Sequence, residues 1–463
     1  MRLFRDIDLT VGNPVRQIVL FAVPMFICGL VYQLYTTVDM VIVGRFCGLA
    51  PYSAVGATGP LLFFYFGTLM GLTGGSGIVT AQKFGARDWA AMRKSVAVSI
   101  LIAAGFTVLF SAVFIPLSGP ILRTMRIPDE IFRDARTYLT IIFAGTFSSA
   151  INNTAFSQAR AVGDSATPLF WLCISAVLNV VLNIVFVAVF KWGVAGVAAA
   201  TVLVNLVAGV GCTLTVWRRR PDMRLGWADF RGGAAIIYAQ LRTGIPMALQ
   251  FLITATGIVV RQAALNQLGT EPMAGYSTGE RIESFITLPI FMMGFVIATY
   301  AAQNYGANRM DRVRSGIGSC MRFLAGYGIF ACVASLLFCG PVTRLFLGAP
   351  PEEVTNYVFR YLSVTTPFYL ALSAILVYRN ALQGLDYQIV PFLGGVLELI
   401  GRGAFVFPLL AWLGYEGVAA TNALAWISAA LLDYLYYRVL FLRCASDVAV
   451  TACLGGGSPP RSR

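Results

Sequence analysis

Ala81-Gln82-Lys83-Phe84-Gly85-Ala86 returns 221 residues later as Ala302-Gln303-Asn304-Tyr305-Gly306-Ala307. At the same offset Gly193-Val194-Ala195-Gly196-Val197-Ala198-Ala199 returns as Gly414-Tyr415-Glu416-Gly417-Val418-Ala419-Ala420, and Gly163 maps onto Gly384. Pro24-Met25 with Pro246-Met247, Thr58-Gly59 with Thr278-Gly279 and Tyr138-Leu139 with Tyr361-Leu362 repeat at nearly that offset. One unit is therefore written twice.

Each copy reads as membrane spans. Apolar residues make up 58% of the chain and charged residues 12%, about half the charged share of a soluble domain, and mean hydropathy is +0.75. Crossing about 30 Å of hydrocarbon takes roughly 20 apolar residues. About twelve such runs occur, near 15–43, 52–80, 92–117, 134–160, 166–190 and 193–217, then 240–267, 272–303, 315–340, 356–383, 388–411 and 415–442. They are continuous instead of alternating with period two, which favours helices over a barrel. Six spans per copy is an even number, so the copies enter the membrane from the same side, as parallel repeats. The expected organisation is an N-terminal six-helix lobe over 1–217, a charged linker over 218–239 that opens with Arg218-Arg219-Arg220-Pro221-Asp222, a C-terminal lobe over 240–443 and a tail over 444–463. The expected fold is an all-α, two-lobed, V-shaped membrane protein with its ligand cleft between the lobes.

The net charge of +13 reports topology more than a nucleic-acid partner. About 23 of the 34 Lys and Arg collect at one side of the spans, among them Lys83, Arg87, Arg93, Lys94, Arg309, Arg312 and Arg314, which makes that side, and both termini, cytoplasmic. The nine cysteines are scattered, without a CxxC pair. The chain has no histidine, which removes Ser-His-Asp catalysis and His-ligated zinc and leaves intramembrane proton chemistry to carboxylates. No Gly-x-x-x-x-Gly-Lys-Ser/Thr loop occurs, so no ATP-driven step is expected. An enzyme and a cofactor are not expected either.

Asp39 lies near the end of the first apolar run. A carboxylate there is expensive unless paired, protonated or bound to a cation, so it is a functional candidate; a surface position near Arg45 is the plainer reading. Pro24 to Asp39 and Pro246 to Arg261 have equal spacing, so the position that is acidic in the first copy is basic in the second. Asn179 and Asn183 share one helix face, with Thr201 on the next span. Glu398 and Arg402 sit at i and i+4, the spacing of an intrahelical ion pair. Gln33, Phe64, Arg261, Glu280 and Glu283 are candidate cavity residues, although Phe63, Phe64 and Tyr65, being consecutive, must face different ways. Gly and Pro inside spans (Pro24, Gly67, Gly71, Gly74, Gly75, Gly77, Pro246, Pro289, Gly294) signify close packing or hinges, Gly71–Gly77 being the best hinge candidate.

Val38-Asp39-Met40-Val41-Ile42-Val43-Gly44-Arg45, the duplicated Ala-Gln-x-x-Gly-Ala stretch, Gly163-Asp164-Ser165-Ala166-Thr167-Pro168 and Gly193-Val194-Ala195-Gly196-Val197-Ala198 together resemble the multidrug and toxic compound extrusion (MATE) family of the MOP flippase superfamily, over about residues 13 to 443 and closer to its DinF-like than its NorM-like branch. The resemblance implies an antiporter exporting organic cationic or amphiphilic compounds against H⁺ or Na⁺. It places Asp39, Asn179, Asn183 and Thr201 at the ion site of the N-terminal lobe, with Asp39, Asn179 and Asn183 as the donors if the ion is Na⁺. Some relatives have a second Asp where this chain has Asn183, and Thr254 stands about where the NorM-like branch has an acid. The alternative within the superfamily, a lipid or lipid-linked oligosaccharide flippase, calls for a large basic cavity, for which Arg261 is the sequence hint. Expected partners are small amphiphiles and membrane lipids; the expected setting is a prokaryotic plasma membrane, and the expected state a monomer.

Overall fold

The structure, a computed structural model, describes residues 7–348 and 351–453; the tail beyond Cys453 lies outside the described residues. Those residues form helices and their connections, with no strand among them. In the first repeat α1 (Pro14–Ile42) runs into a π-helical turn, Val43–Cys47. α2 (Leu49–Ala57) and α3 (Gly59–Gly85) make the second span, α4 (Trp89–Thr124) the third, and α5 (Asp129–Ala144) with α6 (Thr146–Ala161) the fourth. α7 (Ala166–Asn183), ending in the π turn Ile184–Val189, and α8 (Gly193–Arg219) complete it. The second repeat follows the same order: α9 (Ala234–Leu265), α10 (Thr270–Ile286) with α11 (Leu288–Gly306), α12 (Met310–Leu337) with α13 (Cys339–Leu347), α14 (Glu352–Thr365) with α15 (Tyr369–Gly384), α16 (Ile389–Gly403) with α17 (Val406–Leu413), and α18 (Tyr415–Cys453).

Local chemistry sets the boundaries. Asn13 caps α1 by accepting from the Val15 and Arg16 amides, with Pro14 at the first helical position. Spans break where proline or glycine interrupts them: at Thr58 just before Pro60, at Gly145, and at Thr287 just before Pro289, where α10 and α11 meet at 46°. Among the described residues ten helices qualify as spans by length and apolarity, and eleven with the bent α10–α11 pair. The fourth span escapes that criterion because its two 16-residue halves are polar. Its Thr146, Ser148, Ser149, Ser157 and Gln158 are buried in the lobe, so its polar face packs inside the bundle, while Phe147 and Ile151 stay exposed on the other side.

The lobes meet along α3 and α9. Gly67, Gly71 and Gly75 form a ridge at every fourth residue of α3, facing Phe251, Ala248 and Gly244 of α9. A Cβ on Gly71 would lie 2.3 Å from the Ala248 amide nitrogen, and one on Gly75 would lie 2.5 Å from the Gly244 Cα. Small residues at this spacing let two backbones touch, which in lipid is where helix association energy comes from. The Gly71–Gly77 stretch is thus a packing surface within an unbroken helix, and the actual breaks lie at Thr58 and Thr287.

The duplicated stretch closes one end of this contact. A Cβ on Gly85 would sit 1.9 Å from the Gln303 carbonyl oxygen, and one on Gly306 would sit 1.9 Å from that of Gln82. Gln82 donates to the Gly384 carbonyl at 2.9 Å, and Gln303 donates to the Ala161 carbonyl at 2.8 Å. Each copy of the motif therefore grips the other lobe. The segment before α1 lies over the same seam: Ile7 donates to the Gly163 carbonyl at 3.1 Å, and the Leu9 amide donates to Gln303 Oε1 at 3.1 Å. Arg312 holds the carbonyls of Leu9, Val11 and Gly12 at 3.1, 3.2 and 2.7 Å. The lobes are joined in this way at the end that holds the termini, and at the far end a cavity lined by both opens between them, in keeping with the two-lobed V expected from the duplication.

Candidate functional site

Asp39 is half-buried on the last turns of α1. One carboxylate oxygen accepts from Asn183 Nδ2 at 2.5 Å, and the same nitrogen donates to Asn179 Oδ1 at 2.8 Å. Asn179 in turn donates to the Tyr35 hydroxyl at 3.3 Å. Both asparagines are fully buried, as one face of α7 turned to α1 allows. Thr201 joins at one remove: its hydroxyl is spent on the Val197 carbonyl at 3.0 Å, and its contact with the group runs through Tyr35. Tyr138 of α5 closes the surroundings of the carboxylate. Tyr35 and Tyr138 do not stand out in the sequence, although Tyr35 lies one helical turn before Asp39 and so on its face.

Both helices that carry this group end in π turns, directly after Asn183 and four residues after Asp39. A π turn leaves backbone groups out of register and recurs at functional sites. The oxygen set of Asp39, Asn179, Asn183 and Tyr35 suits a hard cation or a proton. Asn183 Oδ1 is buried without a hydrogen-bond partner, so a turn of that amide would offer a cation an oxygen ready to coordinate. No cluster of three or more His, Cys, Asp or Glu that could hold a metal ion occurs among the described residues. Arg45 makes no ion pair with Asp39.

The second lobe is electrically different at the matching place. Arg261 is buried, ion-paired with Glu280 and bonded to Asn422 at 2.6 Å. Glu283 is buried as well and accepts from the Tyr361 hydroxyl. Arg261 and Glu283 therefore belong to the interior of the lobe and not to the cleft wall, because each found an internal partner. Phe64 is displaced from the expected cavity in the same way: it packs inside the first lobe on Phe110 and Phe114, with ring centroids at 6.3 and 5.5 Å. Of the candidate cavity residues Gln33 does face the cleft, where it donates to Ser284 Oγ across the lobes at 3.1 Å.

Deeper in the second lobe the Glu398–Arg402 pair forms at 3.1 Å and is part of a larger group. Arg379 of α15 also pairs with Glu398, and its Nε stands 3.7 Å from Asp433 of α18. Asp433 is fully buried and neither of its oxygens has a hydrogen-bond partner. Arg379 and Asp433 were missed in the sequence, although their being ionisable residues inside apolar runs could have signalled them. Removing one partner of a buried pair leaves an uncompensated charge and costs about 3–5 kcal/mol. Arg379→Met is therefore expected to lower thermal stability in detergent sharply, and adding Asp433→Asn, which leaves the Glu398–Arg402 pair intact, to recover most of the loss; equal melting of Arg379→Met and wild type would contradict this role.

The MatE family profile matches residues 24–185 and 246–400, one stretch in each repeat. The chain is 26% identical over 438 residues to the probable multidrug resistance protein YpnP of Bacillus subtilis (strain 168), spanning 93% of this chain and 96% of that protein. It superposes on a crystal structure of MATE in complex with MaL6 with a TM-score of 0.88 at 22% identity, over 96% of this chain and 99% of the other. An outward-facing multidrug resistance MATE family transporter of the MOP superfamily matches with a TM-score of 0.87 at 21% identity, over 94% and 97% of the two chains.

Proposed function

Since this chain belongs to the MatE family of membrane transporters, we propose that it expels organic amphiphiles, cationic ones included, from the cytoplasm by antiport against H⁺ or Na⁺. The carrying observation is Asp39, a lone carboxylate inside the first lobe, held by Asn183 and backed by Asn179 and Tyr35. The multidrug resistance relative, aligned along nearly its whole length, supports the substrate class. With basic residues gathered at the seam end, the termini lie in the cytoplasm of a prokaryotic plasma membrane. The parted far end then opens outward. The chain works as a monomer, each lobe supplying one wall of the path.

Ion binding changes the transporter only insofar as it binds one lobe arrangement better than the other. Asp39 provides that difference: when the cleft is open its charge is accessible to an entering cation, and once neutralised it can be carried through the closed state without exposing a bare carboxylate to lipid. Arg261, the residue that hinted at a lipid flippase in the sequence, is paired with Glu280. In proteoliposomes loaded with ethidium, an imposed H⁺ or Na⁺ gradient is expected to accelerate dye movement several-fold, and the matching ionophore to abolish the acceleration. Identical rates with and without either gradient would rule out antiport.

A further inference from the structure

At the far end, between the lobes, lies a cavity of about 600 Å³ whose lining includes Arg45 and Tyr52 from the first lobe and Arg281, Phe285 and Phe346 from the second. Its floor is the Gln33–Ser284 hydrogen bond that ties α1 to α10. Both arginines are exposed, and among the described residues neither is ion-paired, although Arg281 directly follows Glu280, which pairs with Arg261. Of the acids near them in sequence, Glu280 is paired with Arg261, and Asp39 accepts a hydrogen bond from Asn183. The lining therefore carries two positive charges and no acid.

An arginine at the end of a span can be explained by its side chain reaching for the membrane surface. That does not account for two arginines from opposite lobes lining one cavity, on the side where basic residues are otherwise scarce. A guanidinium presents a planar fork that matches carboxylate, sulfonate or phosphate. Tyr52, Phe285 and Phe346 add flat apolar faces, and the volume is that of a drug-sized ligand.

We propose that this vestibule binds an organic anion with an aromatic or otherwise apolar body, its acidic group bridging Arg45 and Arg281 and its body lying on the aromatic residues. The proposal rests on the efflux reading for the use of the interlobe cleft as the substrate path. It adds a substrate class opposite in charge to the one Asp39 would attract. Because the arginines come from different lobes, the bound anion draws the lobes together at the far end, so it favours closure there.

The test is fluorescence anisotropy of carboxyfluorescein, an aromatic polyanion, titrated with the purified full-length transporter in phosphatidylcholine nanodiscs. Arg45→Gln and Arg281→Gln are each expected to weaken binding about tenfold, and together more, since each removes a charge-assisted hydrogen-bonding group. Arg45→Lys should recover only part of the loss, because it keeps the charge but not the fork. Both side chains are exposed, so an unchanged melting temperature shows that the variants fold. Wild type without dye binding, or a double variant that binds as wild type does, would overturn the proposal. Ion-driven rhodamine 6G efflux by wild type is measured separately: if it fails while arginine-dependent anion binding persists, the efflux reading falls and the site stands. Displacement of the dye on adding phosphatidylglycerol to the nanodiscs supports the site with a lipid headgroup as the source of the anion; retention of the dye supports it with a soluble one.

Discussion

Asp39→Asn is expected to cut ion-driven efflux by at least about tenfold while leaving thermal stability near that of wild type. The amide is isosteric, and its oxygen can still accept from Asn183 Nδ2 as the carboxylate does, so the local hydrogen bonds survive. What disappears is the charge. To carry a two-state protein from 1:99 to 99:1, an ion must bind one state about 10⁴-fold better than the other. An amide takes up no proton at neutral pH and gives a metal cation no counter-charge, so that ratio collapses toward one. The measurement is the initial rate of gradient-driven ethidium efflux in proteoliposomes, beside the rate without a gradient. Undiminished gradient-driven efflux would sink the assignment of coupling to Asp39.

The second large effect is expected at the seam. Gly85→Ala combined with Gly306→Ala should force the lobes apart at the end that holds the termini. Each added methyl would meet a backbone carbonyl of the opposite lobe at 1.9 Å, and a backbone oxygen cannot swing aside as a side chain does. Overpacking typically costs about 1–3 kcal/mol per site, and 1.4 kcal/mol is tenfold in population, so the pair should disfavour the closed seam by about tenfold or more. Spin labels at Arg87 and Asn308, on the two loops that follow the duplicated motifs, read this out on a background in which the native cysteines are replaced. A shift to longer distances, with melting still cooperative, is the expected result. An unchanged distance distribution in a well-folded double variant would show that the seam absorbs the methyls.

The duplication was readable because close copies of one motif recur at one offset, and hydropathy supplied most of the spans. The contact that gives the motif its meaning was not, because Gly85 and Gln303 come together only when two folded lobes are pressed face to face. Nothing local in Ala81–Ala86 signals a carbonyl arriving from residue 303. The candidate site shows the same division. Asp39, Asn179 and Asn183 stand out as polar residues in apolar helices, and periodicity alone puts the two amides on one face. Thr201 shares the region but reaches it through Tyr35, whose hydroxyl is invisible to an apolarity scan because tyrosine is common in spans. Arg261 and Glu283 were misplaced for the opposite reason: a lone charge in a span suggests a cavity until its partner is known, and Glu280 and Tyr361 are partners that only packing reveals. Charge reading has its own blind spot at Arg45. It looks like an ordinary interfacial arginine alone, and only the fold brings it to one cavity with Arg281.

The segment from Ile7 to Gly12 also bears on how the chain is made. Gln303, Asn304 and Arg312, which hold it, are synthesised nearly three hundred residues later than the segment itself. The segment must therefore wait through the insertion of the whole first repeat and two spans of the second before it can be seated. At a synthesis rate of about 5–20 residues per second that interval is on the order of fifteen to sixty seconds. Its seating across Gly163 on one side and Arg312 on the other thus marks the moment at which the two halves, inserted one after the other, become a single machine.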